Sequence, residues 1–477
     1  MSDFKAVIGL EVHAQLLTDS KIFCPCSNAS MRPPNTNTCP VCMGMPGVLP
    51  VLNRKVLDLG IRLGIALGCT IETRNIFARK NYFYPDLPKG YQITQYDNPL
   101  CSKGYLDITV HGALKRVGIR RIHMEEDAGK SMHDEDKPYS SIDFNRAGVP
   151  LLEIVTEPDI STTDEAVAYL RELRLILMYL GVCDGSMEEG SLRCDANVSV
   201  MRKGSTRLGT RTELKNMNSF RNVQKALDYE IERQSSLMES GQEILQETLL
   251  WNAALGKTVS MRSKEESHDY RYFPDPDLLP VTVDEEMINA IAQELPELPA
   301  AKRRRFMESY GLPEYDAEQL CVSSSLAGYF EECVRLHGPA KEMSNWIMTE
   351  VIRVLNEKNL DIINFKVSPK MLVELVGMLR KGDLSGLAAK EIFSKMAETG
   401  ESAPALMKQL GLEQVSDEGS LKKLVLDVIE ANPGEASLYR AGKQALLGFF
   451  VGEVMKRSKG KANPKVTLEI VRELLSR

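Results

Sequence analysis

The chain predicts an α+β protein in which a strand-rich first part gives way to helices, and three features carry that expectation. Val7–Leu16, Arg121–Asp127 and Ser141–Asn145 alternate apolar with polar residues, the period of a half-buried strand, and Val149–Val155 is an apolar run broken only by Glu153. From Pro299 onward that alternation fades into amphipathic segments, Leu326–Leu336, Lys341–Asn356 and Pro369–Arg380, with helical spacing. The length of 477 residues exceeds one ordinary domain and suggests two to four; the composition shifts place them at 1–295, 296–409 and 410–477. With 43% hydrophobic and 26% charged residues the chain reads as a soluble globular protein, and its net charge of -7 excludes a surface that is basic throughout. Nucleic-acid contact, if made, is local. The start MSDFKAVIGLEV lacks a basic region followed by an apolar stretch, and no run approaches about 18 apolar residues, so a cytoplasmic location is expected. Ten irregularly spaced cysteines in such a chain suit free thiols or metal ligands better than disulfides.

Taken in order, VIGLEVHAQL sets Glu11 and His13 on one strand face, a pair able to share a divalent ion. Solvated strand faces carry Glu and His as well, so spacing alone leaves both open. Cys24, Cys26, Cys39 and Cys42 form a C-x-C and a C-x-x-C pair around a turn-rich segment with Pro33, Pro34, Asn35 and Asn37. Four soft ligands in so short a loop favour structural zinc over four reduced thiols. Val56–Leu67 reads as a helix stopping at Gly68. Arg79–Gln95 interleaves Arg79, Lys80 and Lys89 with Tyr82, Phe83, Tyr84 and Tyr91, which suits a phosphate or stacked base, or equally a rigid loop with aromatics packed inward. His123–Glu157 then gathers acids, a histidine and an arginine on strand segments. Glu153 is costly in a buried strand without a metal, an arginine or a donor to meet it; on an edge strand it would be merely solvated.

Asp164–Leu180 carries a helical stripe of Leu170, Leu173, Leu175, Ile176 and Leu180. In MEEGSLRCDANVSV, Arg193, Asp195 and Asn197 share a strand face, and Arg211, Glu213 and Lys215 repeat the pattern within Thr210–Asn216. Asn218 or Ser219 can cap the helix that follows, and HDYRYFPDPDLLP closes this domain near residue 290. The basic run Lys302–Arg305 fits a solvated helix face better than an RNA contact. From Ser437 to Arg477 nine Lys/Arg stand against Glu453, Glu469 and Glu473, a local +6 that is a nucleic-acid cue. Gly448 and Gly452 would permit close helix contact, while Asn463 and Pro464 would open the last helix.

No phosphate loop is present: Gly129, Lys130 and Ser131 spell its tail, but Met124 stands where the earlier glycine belongs, and no G-x-G-x-x-G occurs. A nucleotide would therefore be held through divalent ions on carboxylates, and Glu11, His13, Glu125, Glu126 and Glu153 suit that. Six histidines without a recognisable nucleophile motif argue against an internal glutaminase.

The segment DFNRAGVPLLEIV, with HMEEDAGK and EGSLRCDANVSV beside it, closely resembles the signature of the B-subunit family of aspartyl/glutamyl-tRNA amidotransferases. The likeness runs through GLEVHAQL, NTNTCPVCMGMPGVLPVLN, NYFYPDLPKGYQI, ELKNMNSF, DYRYFPDPDL and KGKANPK, so it covers nearly the whole chain. It implies a glutamine-synthetase-like antiparallel-sheet cradle, then a helical domain and a small helical tail that binds tRNA. It also implies ATP with Mg²⁺ and structural Zn²⁺, activation of the side-chain carboxylate of mischarged Glu-tRNA or Asp-tRNA, ammonia from a separate glutaminase (the A subunit), and a small C subunit that braces the pair. Lys80, Arg146, Arg193 and Lys215 lie in the family-like blocks as candidates for phosphate or substrate. A ligase for a free small molecule would need no basic tail, and a tRNA scaffold without catalysis would need no acid cluster; neither membrane nor DNA is an expected partner.

Overall fold

The opening alternation becomes β1 (Phe4–Gln15), in which Leu10, Val12 and Ala14 are buried while Glu11, His13 and Gln15 lie half-buried on the opposite face. The computed structural model describes residues 3–29, 32–133, 138–261, 270–412, 418–458, 462 and 464–476, and the chain forms two units, Met1–Pro299 and Ala300–Arg477. In the first unit α1 (Arg54–Ala66) begins where the Asn53 side chain accepts from the Lys55 N–H, and stops before Gly68 at φ 60°. Short strands β2 (Thr70–Ile71), β3 (Arg74–Asn75), β4 (Phe77–Asn81) and β5 (Tyr91–Gln95) lead into a long hairpin of β6 (Cys101–Val110) and β7 (Ala113–Glu126). A ribbon of β8 (Lys130–His133) and β9 (Ser140–Asp143) and a 3-10 turn at Phe144–Arg146 precede β10 (Pro150–Thr156). Then come α2 (Thr163–Tyr179), β11 (Leu192–Arg202), β12 (Thr212–Lys215), α3 (Phe220–Glu239), the hairpin of β13 (Thr248–Asn252) and β14 (Lys257–Ser260), β15 (Phe273–Pro274), β16 (Val281–Thr282) and α4 (Glu285–Gln293).

Nine strands make one sheet in the order β14-β13-β12-β11-β1-β10-β7-β6-β2. All neighbours run antiparallel except β12 and β13, so the antiparallel expectation needs one correction. Its cause is α3, a 20-residue crossover that returns the chain in the same direction, as a parallel pair requires. Helices α1, α2 and α3 back one face of the sheet, and their Leu59, Ile61, Leu63, Leu170, Leu173, Val223 and Leu227 join its core. Caps fix where two of them start: Thr162 and Glu165 form a reciprocal capping box on α2, and the Ser219 hydroxyl accepts from Asn222 on α3.

The second unit is helical. One apolar cluster with Phe306, Phe330 and Phe393 gathers α5 (Pro299–Tyr310), α6 (Glu314–Leu320), α7 (Ser324–Arg335), α8 (Ala340–Trp346), a π-helical turn at Ile347–Val351, α9 (Ile352–Lys358), α10 (Pro369–Lys381), α11 (Gly386–Thr399) and α12 (Ala403–Leu410). Another, with Leu421, Val425, Phe450 and Val471, gathers α13 (Glu418–Ala431), α14 (Pro433–Arg440), α15 (Leu446–Arg457) and α16 (Pro464–Leu475). In the basic run of α5, Lys302 and Arg305 both reach Glu331 of α7, at 2.9 and 2.6 Å, so half of that run ties two helices together. Gly448 and Gly452 do not mediate close packing: among the described residues nothing lies within 4 Å of a Cβ placed on either. The expected Asn463 cap, with Lys459, Lys461 and Arg477 of the basic tail, lies outside the described residues. All ten cysteines are free, and no helix among the described residues is long and apolar enough to cross a membrane.

Helix α1 sits close on the sheet because Gly60 and Gly64 face it: a Cβ at Gly60 would lie 2.4 Å from Leu100 Cδ2 and 3.4 Å from Leu152 Cδ2. Leu100 and Leu152 are fully buried. Gly60→Val is therefore expected to lower stability by about 1–3 kcal/mol through overpacking, read as a lower denaturation midpoint.

Candidate active site

Strand register assembles the site. Because cross-strand partners share a face, the pairings His13 with Glu153, His13 with Arg193 and Glu153 with His123 put Arg193, His13, Glu153 and His123 in one row across four strands. Glu11 pairs with Asp195 one step along, and Glu125 lies opposite Leu151. The apolar residues between them, Val12, Ile122, Met124, Leu152 and Cys194, point the other way into the core.

Of the residues singled out in sequence, Glu11, His13, Glu125 and Glu153 converge. His13 Nε2 lies 3.3 Å from Glu153, 3.6 Å from Glu125 and 3.7 Å from Glu11. Glu126 is not among them: it falls on the core parity of Ile122 and Met124, forms an ion pair with Lys89 and accepts from the Ile93 N–H at 2.8 Å. His123 takes its place. Buried, with Nε2 3.3 Å from Glu153 and 3.5 Å from Glu125, it is the site residue that sequence reasoning misses. Its signal is present in HMEE, where apolar Ile122 and Met124 mark the core side and so assign His123 and Glu125 to the other.

Glu153 is not on an edge. Its strand lies between β1 and β7, and two imidazoles and Arg121, 3.8 Å away, meet its carboxylate. Burial alone would raise its pKa, but His123 and His13 hold it well below the usual carboxylate range. The imidazoles respond in kind: burial would lower both, and the neighbouring acids, Glu153 foremost, lift His13 and His123 to about 9. Glu11 is pushed up by burial and by Glu153. Ligand atoms of Glu11, His13 and Glu153, and again of His123, Glu125 and Glu153, lie within 4.8 Å of one another. Such oxygen-rich sets with imidazole suit a hard divalent cation.

Lys80, Lys215 and Arg193 lie around this cluster, and Arg146 shares Asp127 with Arg193. Lys80 stands 4.8 Å from the Tyr270 ring and 5.8 Å from Tyr82; burial would depress its pKa, but Glu125 and its neighbours keep it raised. Lys215 on β12 binds Asp195 at 2.8 Å and Glu213 at 3.1 Å. Arg193 and Arg146 both meet Asp127, at 2.8 and 3.4 Å. The aromatic block divides between its two readings: Tyr91 lies under Arg79, 4.2 Å from Cζ, whereas Phe83 is 91% exposed and Tyr84 55% exposed. Arg79 itself ties β4 to the PDPDL loop through Asp275 and Asp277.

On the N-terminal loop the four cysteine sulfurs lie within 4.8 Å of one another. Fully buried Lys21 donates to Cys42 Sγ at 3.7 Å and to the Asn37 carbonyl at 2.9 Å, and the Cys39 N–H reaches the same sulfur at 3.1 Å. Hydrogen bonding from Cys24, with help from Cys39 and Lys21, pulls the Cys42 thiol down to about 4, while burial pushes Cys26 up to about 11. Four sulfurs this close together fit tetrahedral zinc.

Residues 6–289 match the model of the GatB/GatE catalytic domain, and 328–475 that of the GatB domain. The chain is 55% identical over 472 residues to the B subunit of the aspartyl/glutamyl-tRNA(Asn/Gln) amidotransferase of Thermodesulfovibrio yellowstonii, covering 99% of each. The protein of the same name from Geotalea daltonii is 55% identical over 473 residues, 98% of each, and that of Caldanaerobacter subterraneus 54% over 474, 99% of this chain and 100% of that one. The matched stretch contains the histidine–carboxylate row and the cysteine loop alike, and the chain belongs to the GatB family of amidotransferase B subunits.

Proposed function

We propose that this chain is a ligase that amidates mischarged Glu-tRNA(Gln), Asp-tRNA(Asn) or both, to Gln-tRNA(Gln) and Asn-tRNA(Asn), using ATP and ammonia released by a separate glutaminase, the A subunit, with a small C subunit that braces the pair. The observation that carries it is the convergence of Glu11, His13, Glu125 and Glu153 in a chain 55% identical to proteins bearing that name. A carboxylate is a poor electrophile. Its oxygen attacks the γ-phosphorus of ATP, ADP leaves, and the acyl phosphate formed reacts at carbon with ammonia, which loses a proton as phosphate departs. When bound at Glu11, His13, Glu125 and Glu153, Mg²⁺ supplies the charge compensation that lets two anions meet. The protein's own part is to fix those donors on a sheet, with His123 buttressing Glu125 and Glu153 and with Lys80, Arg146, Arg193 and Lys215 supplying positive charge around them. A helix-backed sheet with one polar face supports a glutamine-synthetase-like cradle over 1–295. Separate apolar clusters support the division into 296–409 and 410–477. A cytoplasmic setting goes with this reading, since the acceptor is an aminoacyl-tRNA.

Glu11→Gln and Glu153→Gln keep shape and remove charge, so acyl-group activation is expected to fall by about two orders of magnitude or more. ADP formation with mischarged tRNA and added ammonium chloride measures this without the glutaminase, and wild-type rates in both variants would place the chemistry elsewhere. Metal analysis of protein grown in zinc-replete medium is expected to give one zinc per chain, with Cys39→Ser losing the metal and loosening the loop rather than stopping catalysis. Removing 410–477 is expected to weaken tRNA binding and flatten its salt dependence while ATP binding persists; unchanged tRNA affinity would rule out the tail as a tRNA contact.

A further inference from the structure

Asp127 follows directly on β7 and is buried. Its backbone is tied at both ends, the N–H donating to the Val149 carbonyl at 2.8 Å and the carbonyl accepting from Gly148 at 2.9 Å. Its Oδ1 accepts from the Ala128 N–H at 3.0 Å. Its Oδ2 receives Arg193 Nη2 at 2.8 Å, Gln15 Nε2 at 3.1 Å and Arg146 Nε at 3.4 Å. Two guanidiniums from distant parts of the chain, one on β11 and one on the 3-10 turn, thus share a single carboxylate oxygen. Without that charge they would repel each other. Arg146 is held further by the carbonyls of Ala128 and Gly129, at 3.1 and 2.6 Å.

Both arginines line a cavity of about 1250 Å³, and their side chains stay 34% and 36% exposed. The buried Nε of Arg193 has no hydrogen-bond partner among the described residues, a donor that the protein itself leaves unmatched. Asp19, Asp143, Asp184, Glu188, Glu189 and Asp195 line the same cavity, so an anion entering it finds positive charge, among the described residues, only at Arg32, Lys130, Arg146 and Arg193. Arg193 adjoins the catalytic row: it pairs with His13, and the strand of His13 pairs with that of Glu153. At about 1250 Å³ the space exceeds the roughly 300–1,000 Å³ of ordinary small-molecule sites, so it has room for a nucleoside triphosphate at the arginines with volume to spare.

We propose that Asp127 is a positioning residue that holds Arg146 and Arg193 together as one two-guanidinium clamp for the triphosphate of ATP. This rests on the assignment of ATP-dependent amidation to the same face of the sheet. The clamp sets how the nucleotide is seated, not how the carboxylate reacts, so its loss acts on ATP affinity.

The test is Asp127→Asn in the complete amidotransferase, measuring ADP formation against ATP concentration with mischarged tRNA and ammonium chloride supplied. KM for ATP is expected to rise about tenfold or more, the worth of a charge-assisted hydrogen bond, with kcat and KM for the aminoacyl-tRNA little changed. Arg193→Lys and Arg146→Lys keep the charge and lose the fork. They are expected to shift the same constant, and the double variant Asp127→Asn/Arg193→Lys to add little to either single change. These lysine variants decide the matter should the asparagine variant not fold. An unchanged KM for ATP, or a rise in KM for the tRNA instead, overturns the clamp while leaving ATP-dependent amidation standing. A wild-type complex that forms no ADP overturns the amidation itself.

Discussion

The register of β1 between β10 and β11 is the constraint on which the rest of the first unit depends. Leu10, Val12 and Ala14 are buried against the helices, and each fully buried leucine or valine contributes about 1.5–3 kcal/mol. Sliding β1 by one residue would drive Glu11 and His13 into that core and turn the apolar set outward, so ordinary hydrophobic burial rules out every shift by an odd number of residues. The chemistry is thus positioned by residues that take no part in it. Carboxylates from three strands need no loop to bring them together; the pleat does so.

A face assembled this way concentrates charge, and the structure balances it by pairing rather than by dilution. Two imidazoles stand among Glu11, Glu125 and Glu153, their pKa values raised by those acids while they in turn hold that of Glu153 down. Lys80 and Arg121 flank the group, Lys215 is matched by Asp195 and Glu213, and Arg193 by Asp127. The opposite side of β7 repeats the principle with Glu126 and Lys89. Buried charges without such partners would cost several kcal/mol each.

Much of this is legible in the sequence because alternation, intruding acids and turn residues are local signals. Glu153 stands out as an acid in an apolar run, Glu11 and His13 by their two-residue spacing, α2 by its apolar stripe, and α3 by Ser219, one of the two residues expected to cap it. What escapes depends on pairings between distant strands. His123 looks like one polar residue among several until its strand is set beside Glu153, and Glu125 and Glu126, adjacent in sequence, separate only when strand parity is known. The parallel pair of β12 and β13 is similar: each strand is readable alone, but the crossover by α3 sets their relative direction. Gly448 and Gly452 show the converse, a familiar small-residue spacing that has no close neighbour among the described residues.

The order of the strands also bears on how the chain comes into being. β1 is made first, yet its neighbours are β10 and β11, and His13 meets Arg193 only after 193 - 13 = 180 further residues have been synthesised. Contacts so far apart in sequence form late and slowly, because the intervening chain must be closed before they return any stability. During that interval a strand reading VIGLEVHAQL, apolar on one face and with both edges open, must be kept from pairing with other copies of itself. The central position that makes β1 the best-protected strand of the finished sheet makes it the most exposed one on the ribosome.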